Sequence, residues 1–152
     1  MKTSVQIIPA THTDMDVLAD LLGILFTQEA DFKPERFKQM KALELIIDNP
    51  DKGFILTARI DNKVVGMVSI LKLISTAEGG EVGILEDMIV HPDYHGRGIG
   101  SELIKYAIKE SEKQQLARLT LLTDSTNQDA IEFYRKHEFR LSAMIPMRRS
   151  LL

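Results

Sequence analysis

A glycine-rich segment near the middle of the chain contains the residue types of an anion-binding site. Residues 95–101 read His-Gly-Arg-Gly-Ile-Gly-Ser and lie between a strand-like stretch (85–90) and an amphipathic helical pattern. Alternating glycines allow the backbone to adopt positive φ and to approach a ligand closely, while unpaired N–H groups of a helix's first turn point toward it. Arg97 adds a positive charge. We therefore expect this segment to bind a ligand that carries phosphate groups.

Two common phosphate-binding motifs do not fit this segment. A P-loop requires Lys followed by Ser or Thr after its last glycine, whereas Ser101 and Glu102 follow Gly100 here. A dinucleotide-binding motif has the spacing G-x-G-x-x-G and an acidic residue about 20 positions later. The spacing differs here, and Thr120 occupies the position of the acid. The segment therefore favours a third kind of phosphate site.

The composition indicates one compact, soluble domain. The 152 residues are 44% hydrophobic, and single domains commonly contain about 100–200 residues. The formal net charge of −3 does not favour a nucleic-acid-binding protein, which usually has a basic surface. No stretch resembles a signal peptide or approaches the roughly 18 apolar residues of a membrane span. We therefore expect a cytoplasmic protein that binds neither nucleic acid nor membrane.

The hydrophobic pattern predicts a mixed α/β domain without repeats or linkers. In its first half we expect a strand over 5–8, helices with apolar faces over 15–25 and 37–47, and strands over 54–60 and 64–74 joined by a tight turn. In its second half we expect a strand over 81–90, a helix after the glycines, a strand over 119–123, a short helix to about 137, and final strands over 139–143 and 147–151. Ser125 and Gln128 have the spacing of a capping box for the short helix.

Two blocks of the sequence resemble motifs of the GNAT superfamily, whose members are acetyl-CoA-dependent N-acetyltransferases. The family's coenzyme-binding motif, Q/R-x-x-G-x-G/A, is similar to residues 95–100, with His95 in place of Gln or Arg. The second block resembles the pattern N-x-x-A-x-x-F-Y-x-K-x-G-F and matches it at Asn127, Ala130, Phe133, Tyr134, Lys136 and Phe139. The resemblance extends over about 82–139. It implies a single domain (1–152) with a mixed, mostly antiparallel sheet of six to seven strands and helices on both faces.

Glu138 stands where the family pattern has a glycine. A glycine after a helix normally supplies the left-handed residue that ends it. Either Glu138 adopts positive φ at a cost of about 1–2 kcal/mol, or the helix ends by another route.

The resemblance implies that acetyl-CoA is the cosubstrate and that no metal is required. It implies that the backbone of Met88, Ile89 and Val90 binds the pantetheine arm, with the Met88 N–H as oxyanion donor. The diphosphate would lie on the amides of the glycine segment, and Asn127 would contact the coenzyme. The residues expected at the diphosphate are His95, Gly96, Arg97, Gly98, Ile99, Gly100 and Ser101.

The resemblance also implies catalytic roles. Tyr134 resembles the family tyrosine that contacts the thioester sulfur and protonates the departing thiolate. A base or a water chain must take the proton of the amine, and Glu86 is the first candidate because a regular strand places it on the face of Met88 and Val90. A bulge would instead turn Asp87 toward the site.

The chain contains no cysteine, which excludes a cysteinyl acyl-enzyme. We therefore expect the acceptor to attack acetyl-CoA directly in a ternary complex. The acceptor would be a primary amine, either a small molecule or a protein group, near the acidic residues Glu29, Asp31, Glu35 and Glu78.

Two other functions are compatible with the same residues. One is a catalytically silent acyl-CoA-binding sensor on the same fold, and the other is an ATP-binding protein that uses the glycine segment. The final strands could also supply the edge of a homodimer.

Overall fold

Five strands form one sheet in the computed structural model, which describes residues 4–29 and 33–152. Their order in the sheet follows the chain, and neighbouring strands are antiparallel except for the last pair, which is parallel. The strands are β1 (Gln6–Pro9), β2 (Gly53–Ile60), β3 (Lys63–Ser75), β4 (Gly80–Val90) and β5 (Leu119–Leu121). The helices are α1 (Met15–Gln28), α2 (Arg36–Asp48), α3 (Ile99–Lys113) and α4 (Gln128–Lys136).

The helices cover both faces of the sheet, as the sequence predicts. On one face, α1 and α2 bury a leucine-rich stripe against β3 and β4, with Leu18, Leu21, Leu22, Leu43, Met67 and Ile89 at its centre. On the other face, α3 packs against β2, β3 and β4 through Leu103, Ile104, Ala107, Val65, Val68 and Ile70. The predicted α/β domain is therefore confirmed.

The β2–β3 hairpin positions the centre of the sheet. Its loop contains only Asp61 and Asn62, whose φ angles are 48° and 65°. Two positive φ angles in a two-residue loop match the twist of antiparallel strands, and Asp and Asn tolerate this conformation well. The predicted hairpin is confirmed, with Lys63 already belonging to β3.

A buried ion pair joins the start of α1 to β2. Arg59 Nη2 lies 2.6 Å from Asp14 Oδ2, and the side chains of Asp14 and Arg59 are 7% and 12% exposed. Burial by itself would raise the pKa of Asp14, but hydrogen bonds from the Thr11 backbone and from Arg59 hold that pKa below its usual value. This pair anchors α1 over the sheet.

The sheet has fewer strands than the predicted six to seven. Within the described residues, the chain forms no strand after β5, and the expected strands over 139–143 and 147–151 are absent. Every residue from Arg140 onward is exposed. A strand requires a partner for its backbone hydrogen bonds, and this segment is not paired with the sheet of its own chain.

The ends of α4 also differ in part from the sequence-based prediction. Asn127, and not Ser125, is the residue that caps this helix, because its side-chain oxygen accepts the Ala130 N–H at 3.1 Å. At the other end, Glu138 has a φ of 68°. Glu138 therefore takes the place of the family's glycine by adopting positive φ.

None of the helices in the described part of the chain has both the length and the apolarity that crossing a membrane requires.

Candidate active site

The last two strands separate beside the glycine segment. β5 pairs with β4 at three positions only, from Gly83 with Leu119 to Leu85 with Leu121. Beyond Leu85, β4 continues to Val90 and pairs with β3 on its other side. Among the described residues, this part of β4 therefore has one edge without a neighbouring strand.

A cavity of about 550 Å³ lies at this separation. Its wall brings together the open end of β4, the glycine segment, the chain after β5 and one side of α4. Among its lining residues are these predicted site and motif residues: Glu86, Met88, Ile89, Val90, His95, Gly96, Gly98, Ile99, Gly100, Ser101, Asn127, Ala130, Phe133 and Tyr134. Most of the predicted site residues thus line one cavity.

The glycine segment leads directly into α3. Gly96 and Gly98 have φ angles of 77° and 76°, and Gly98 is the residue that caps the helix. These left-handed conformations strain residues that have a Cβ atom, so the two glycines are required by the backbone. The first N–H groups of a helix have no intrahelical partner and carry a partial positive charge. The start of α3 can therefore bind an anion, and the residues present fit a diphosphate.

His95 secures this segment to the end of β4. Its Nε2 lies 2.8 Å from the carbonyl oxygen of Val90. Because a carbonyl oxygen only accepts, Nε2 is the donor in this contact. The imidazole, which stands in place of the family's Gln or Arg, therefore holds the loop through its side chain.

The side chains of two predicted phosphate-binding residues, Arg97 and Ile99, do not face the cavity as expected. Arg97 lies over the ring of Tyr94, with its guanidinium carbon 5.0 Å from the ring centroid, and it is not among the cavity-lining residues. The side chain of Ile99 is 3% exposed and belongs to the core. Ile99 can therefore offer only its backbone to a ligand.

Tyr134 lines the cavity and is held by aromatic contacts. Its ring packs edge-on against Phe133 and Phe139, with centroid distances of 5.2 Å and 5.7 Å. Burial, together with the negative charge of Glu29, raises the pKa of Tyr134 to about 12. The phenol therefore remains protonated at neutral pH and can act as a hydrogen-bond donor.

β4 contains a bulge at Glu86. Asp87 pairs with Ser69 and Leu85 pairs with Ile70, so Glu86 is the extra residue between these two pairs. The prediction that side chains of this strand alternate regularly between the two faces of the sheet is therefore wrong. The bulge does not exchange the two carboxylates, however, because Glu86 lines the cavity and Asp87 does not.

Asp87 lies in a partly buried position against β3. It shares a face with Ile89, which belongs to the core beneath α1 and α2. Burial and the neighbouring charges of Glu86 and Glu29 raise the pKa of Asp87 to about 7, against the lowering effect of a hydrogen bond from Ser69. This carboxyl group therefore titrates near neutral pH.

The predicted acceptor-side acids are dispersed. Glu29, just after α1, lines the cavity. Glu35 is paired with Lys38 at 2.8 Å, Glu78 lies 3.8 Å from Arg118, and neither lines the cavity. Asp31 lies outside the described residues. Of the three positions that the structure describes, Glu29 is therefore the one that lies at the cavity.

Sequence reasoning missed several cavity residues. Leu25 and Gln28 come from the end of α1, and Thr123 and Asp124 follow β5. Ligands of open α/β sheets bind beyond the carboxyl ends of strands, so the position of 123–124 was a usable signal. The contribution of α1 depends on how the helix crosses the sheet, which no local pattern encodes.

Among the described residues, no group of three His, Asp or Glu side chains could hold a metal ion.

Comparison with known proteins indicates the family to which this chain belongs. A model of the Acetyltransferase (GNAT) family matches residues 19–139. An uncharacterized N-acetyltransferase of Methanocaldococcus jannaschii is 31% identical over 129 residues, which cover 82% of this chain and 57% of the relative. An aminoalkylphosphonate N-acetyltransferase of Salmonella typhimurium is 30% identical over 134 residues, which cover 88% of this chain and 83% of the relative.

The fold also resembles that of solved acetyltransferase structures. An aminoglycoside N-acetyltransferase in complex with CoA superimposes with a TM-score of 0.82, at 15% identity, covering 98% of this chain and 96% of that one. At this identity the likeness concerns the fold alone. The family match covers most of the chain, from α1 to the residue after Glu138. The chain therefore belongs to the GNAT family of acetyltransferases.

Proposed function

We propose that this protein transfers the acetyl group of acetyl-CoA to a primary amine. One observation carries the proposal: a single cavity is lined by the open edge of β4, by the glycine segment at the start of α3, and by Tyr134. These are the parts needed to hold an extended thioester, to bind its diphosphate and to donate a proton to its sulfur. Family membership supports the same reaction class.

The binding of acetyl-CoA would use backbone groups for the most part. The open edge of β4 offers the N–H and C=O groups of Met88 to Val90 to the pantetheine arm. The amides from Gly96 to Ser101 would bind the diphosphate, assisted by the positive end of α3. Asn127 uses its side-chain oxygen to cap α4, so its amide N–H groups remain as donors to the coenzyme.

The reaction would proceed by direct attack in a ternary complex. The amine nitrogen forms a bond to the acetyl carbon, and the Met88 N–H donates to the oxygen that becomes negative. As the C–S bond breaks, Tyr134 donates a proton to the thiolate, CoA leaves as the free thiol, and the tyrosinate regains a proton from water. The chain has no cysteine that could carry the acetyl group.

We assign the acceptance of the amine proton to Glu86. Its carboxylate lines the cavity, and the bulge gives it a position without a cross-strand partner residue. Asp87 is the competing candidate, because a base with a pKa near 7 is well matched to neutral pH. A chain of water molecules leading to either carboxylate is the third route.

The acceptor would be a cationic amine. Glu29 and Glu86 put two carboxylates on the cavity wall, and these favour a protonated amine before it loses its proton. Two of the similar proteins are named for small amines, an aminoalkylphosphonate and an aminoglycoside. We therefore place small-molecule amines ahead of protein amines.

A thiol-release assay tests this function directly. The protein is incubated with acetyl-CoA and a panel that contains an aminoalkylphosphonate, an aminoglycoside, a lysine peptide and a peptide with a free N-terminus. Free thiol is then measured with a colorimetric disulfide reagent, to which a cysteine-free protein contributes no background. We expect thiol release with at least one small amine and intersecting lines in initial-velocity plots.

Two outcomes would contradict the proposal. Binding of acetyl-CoA without turnover of any amine would favour the acyl-CoA-binding sensor. Displacement of acetyl-CoA by ATP in a thermal-shift assay would favour the nucleotide-binding alternative.

A further inference from the structure

Ser69 contributes a fully buried hydroxyl group to the middle of the sheet. It lies on β3 with no exposed surface, opposite Asp87 of β4. The Asp87 backbone N–H donates to Ser69 Oγ at 3.1 Å, and the Ser69 hydroxyl donates to Asp87 Oδ2 at 3.2 Å. One side chain on β3 therefore holds both the backbone and the side chain of a residue on β4.

These two hydrogen bonds lie next to the bulge at Glu86. Leu85 belongs to the core beneath α3, whereas Asp87 shares the opposite face of the sheet with Ile89. Residues two apart in a regular strand lie on the same face, so the bulge is what turns Asp87 toward Ser69. A bulge disrupts the ladder of backbone hydrogen bonds. The Ser69 hydroxyl accepts a backbone N–H at this point and thereby holds β4 to β3 beside the extra residue.

The bond to Ser69 also determines the direction of the next N–H group. Successive residues of an antiparallel strand direct their backbone groups to opposite edges of the strand. The Asp87 N–H points to β3, and so does the His91 N–H, which donates to the Val65 carbonyl oxygen at 2.8 Å. Met88 comes one residue after Asp87 and three before His91. Its N–H therefore points to the open edge of β4, where the cavity lies.

The carbonyl group of Val90 follows the same alternation. Val90 comes two residues after Met88, and its carbonyl oxygen lies 2.8 Å from Nε2 of His95 in the glycine segment. This oxygen is therefore directed to the side of the cavity and not to β3. Both Met88 and Val90 line the cavity, so the strand keeps one alternation from Asp87 to its end.

We propose that Ser69 is a positioning residue for acetyl transfer: by holding β4 at the bulge, its hydroxyl directs the Met88 N–H at the thioester carbonyl oxygen. This role rests on the function proposed above, in which that N–H stabilises the oxygen as it becomes negative. Ser69 itself does not line the cavity. An interaction that is made only in the transition state raises kcat and leaves KM little changed. Loss of the Ser69 hydroxyl should therefore lower kcat.

Steady-state kinetics of three variants test this role. Ser69→Ala removes the hydroxyl, and Ser69→Thr keeps it. The control is Ser111→Ala, which removes another buried serine hydroxyl, one that donates to the Ala107 carbonyl oxygen within α3 at 2.7 Å. We expect kcat to fall about 10²-fold in Ser69→Ala with little change in the KM for acetyl-CoA. We expect Ser69→Thr to recover most of this loss and the control to keep its kcat.

Amide hydrogen exchange, measured by NMR, tests the positioning without turnover. In the unaltered protein we expect slow exchange of the Asp87 N–H, and slower exchange of the Met88 N–H once acetyl-CoA is added without an amine. In Ser69→Ala, the Asp87 N–H should lose its protection and the Met88 N–H should no longer respond to acetyl-CoA. The Ser111→Ala control should behave like the unaltered protein.

Failure of this role can be distinguished from failure of the proposed function. If the unaltered protein releases no thiol with any amine, the proposed function fails, and the positioning of the Met88 N–H is judged by hydrogen exchange alone. Retained protection of the Asp87 N–H in Ser69→Ala would overturn the role of Ser69. So would equal losses of kcat in Ser69→Ala and Ser111→Ala, or a Ser69→Thr variant that unfolds normally in urea and is as slow as Ser69→Ala.

Discussion

Ser69 and Asp87 lie opposite each other on β3 and β4 and are joined by two hydrogen bonds. The Ser69 hydroxyl donates to Asp87 Oδ2 at 3.2 Å, and the Asp87 backbone N–H donates to Ser69 Oγ at 3.1 Å. Ser69 is fully buried, and the bulge at Glu86 lies immediately next to this pair. The pair therefore fixes the point at which β4 changes its alternation and presents Glu86 to the cavity.

The raised pKa of Asp87 predicts a pH-dependent effect of Asp87→Asn on stability. The pKa rises from 3.8 to about 7 on folding, so between these values the unfolded state ionises while the folded state stays protonated. The carboxyl group therefore destabilises the fold progressively as the pH rises through this window, and the effect is constant above it. Three pKa units correspond to about 4 kcal/mol as an upper limit.

We accordingly expect the Asn variant to match the unaltered protein near pH 4 and to exceed its unfolding free energy by a few kcal/mol at pH 8. Urea unfolding at a series of pH values measures this difference. A constant difference between the two proteins across the series would show that Asp87 has an ordinary pKa.

Replacing Tyr134 by Phe removes the proposed proton donor and keeps the ring contacts. We expect kcat to fall by about 10²–10⁴-fold while the affinity for acetyl-CoA changes little. The control is Tyr106→Phe on α3, where the side chain is 45% exposed. Because the pKa of Tyr134 is about 12, its ionisation should leave the rate unaffected up to pH 9. Unchanged turnover in the Phe variant would remove Tyr134 from the mechanism.

The pH dependence of the rate can show which of the adjacent carboxylates, Glu86 or Asp87, accepts the amine proton. If Glu86 accepts the amine proton, we expect Glu86→Gln to lower kcat/KM by about 10²-fold and Asp87→Asn to have a smaller effect. If Asp87 is the base, the profile of the unaltered enzyme will contain an apparent pKa near 7 that disappears in Asp87→Asn. Steady-state rates from pH 5.5 to 9 decide between them.

Two glycines with nearly equal φ angles provide a matched test of the phosphate site. Gly98 caps α3 with a φ of 76°, and Gly79 has a φ of 72° in the turn before β4. An added Cβ would meet no atom within 4 Å at either position, so both alanine variants should lose about 1–2 kcal/mol of stability from backbone strain.

Only Gly98→Ala alters the segment that faces the cavity. We expect the Kd for acetyl-CoA to rise about tenfold in this variant, equivalent to about 1.4 kcal/mol, and to be unchanged in Gly79→Ala. Isothermal titration calorimetry measures both affinities. Equal affinities in the two variants would contradict a role of Gly98 in binding the diphosphate.

The ion pair between Asp14 and Arg59 predicts a large effect on stability. Asp14→Ala leaves a buried guanidinium without its partner, and breaking such a pair costs about 3–5 kcal/mol. The control is Asp16→Ala, because Asp16 pairs with Arg36 at 3.1 Å with both side chains well exposed. Such surface pairs contribute about 0–1 kcal/mol. Chemical denaturation measures the unfolding free energy of both variants. Equal losses of unfolding free energy would show that burial does not strengthen the Asp14–Arg59 pair.

Local sequence was sufficient for features that depend on neighbouring residues. The hairpin at Asp61 and Asn62 and the glycine segment before α3 follow from turn and helix-end chemistry within a few residues. The sequence left two ways for α4 to end, and the structure shows that Glu138 adopts positive φ. The predicted helices follow from apolar spacing in the same way. These features could be read from the chain because the interactions that form them are short in sequence.

Other features depend on which segments meet. The bulge at Glu86 arises from the pairing of β4 with β3, and a single-strand pattern cannot report an extra residue in one of two strands. The charge of Glu29 reaches both Tyr134 and Asp87 because α1 ends over the separated strands.

The sequence by itself determined the family, the α/β fold and the position of the glycine segment before α3, since each rests on local spacing of residue types. The tertiary structure decided which carboxylate lines the cavity, that the sheet has five strands, and that residues 140–152 are left exposed. Strand pairing and burial are made between residues far apart in the chain, and the pKa values of Asp87 and Tyr134 follow from that burial.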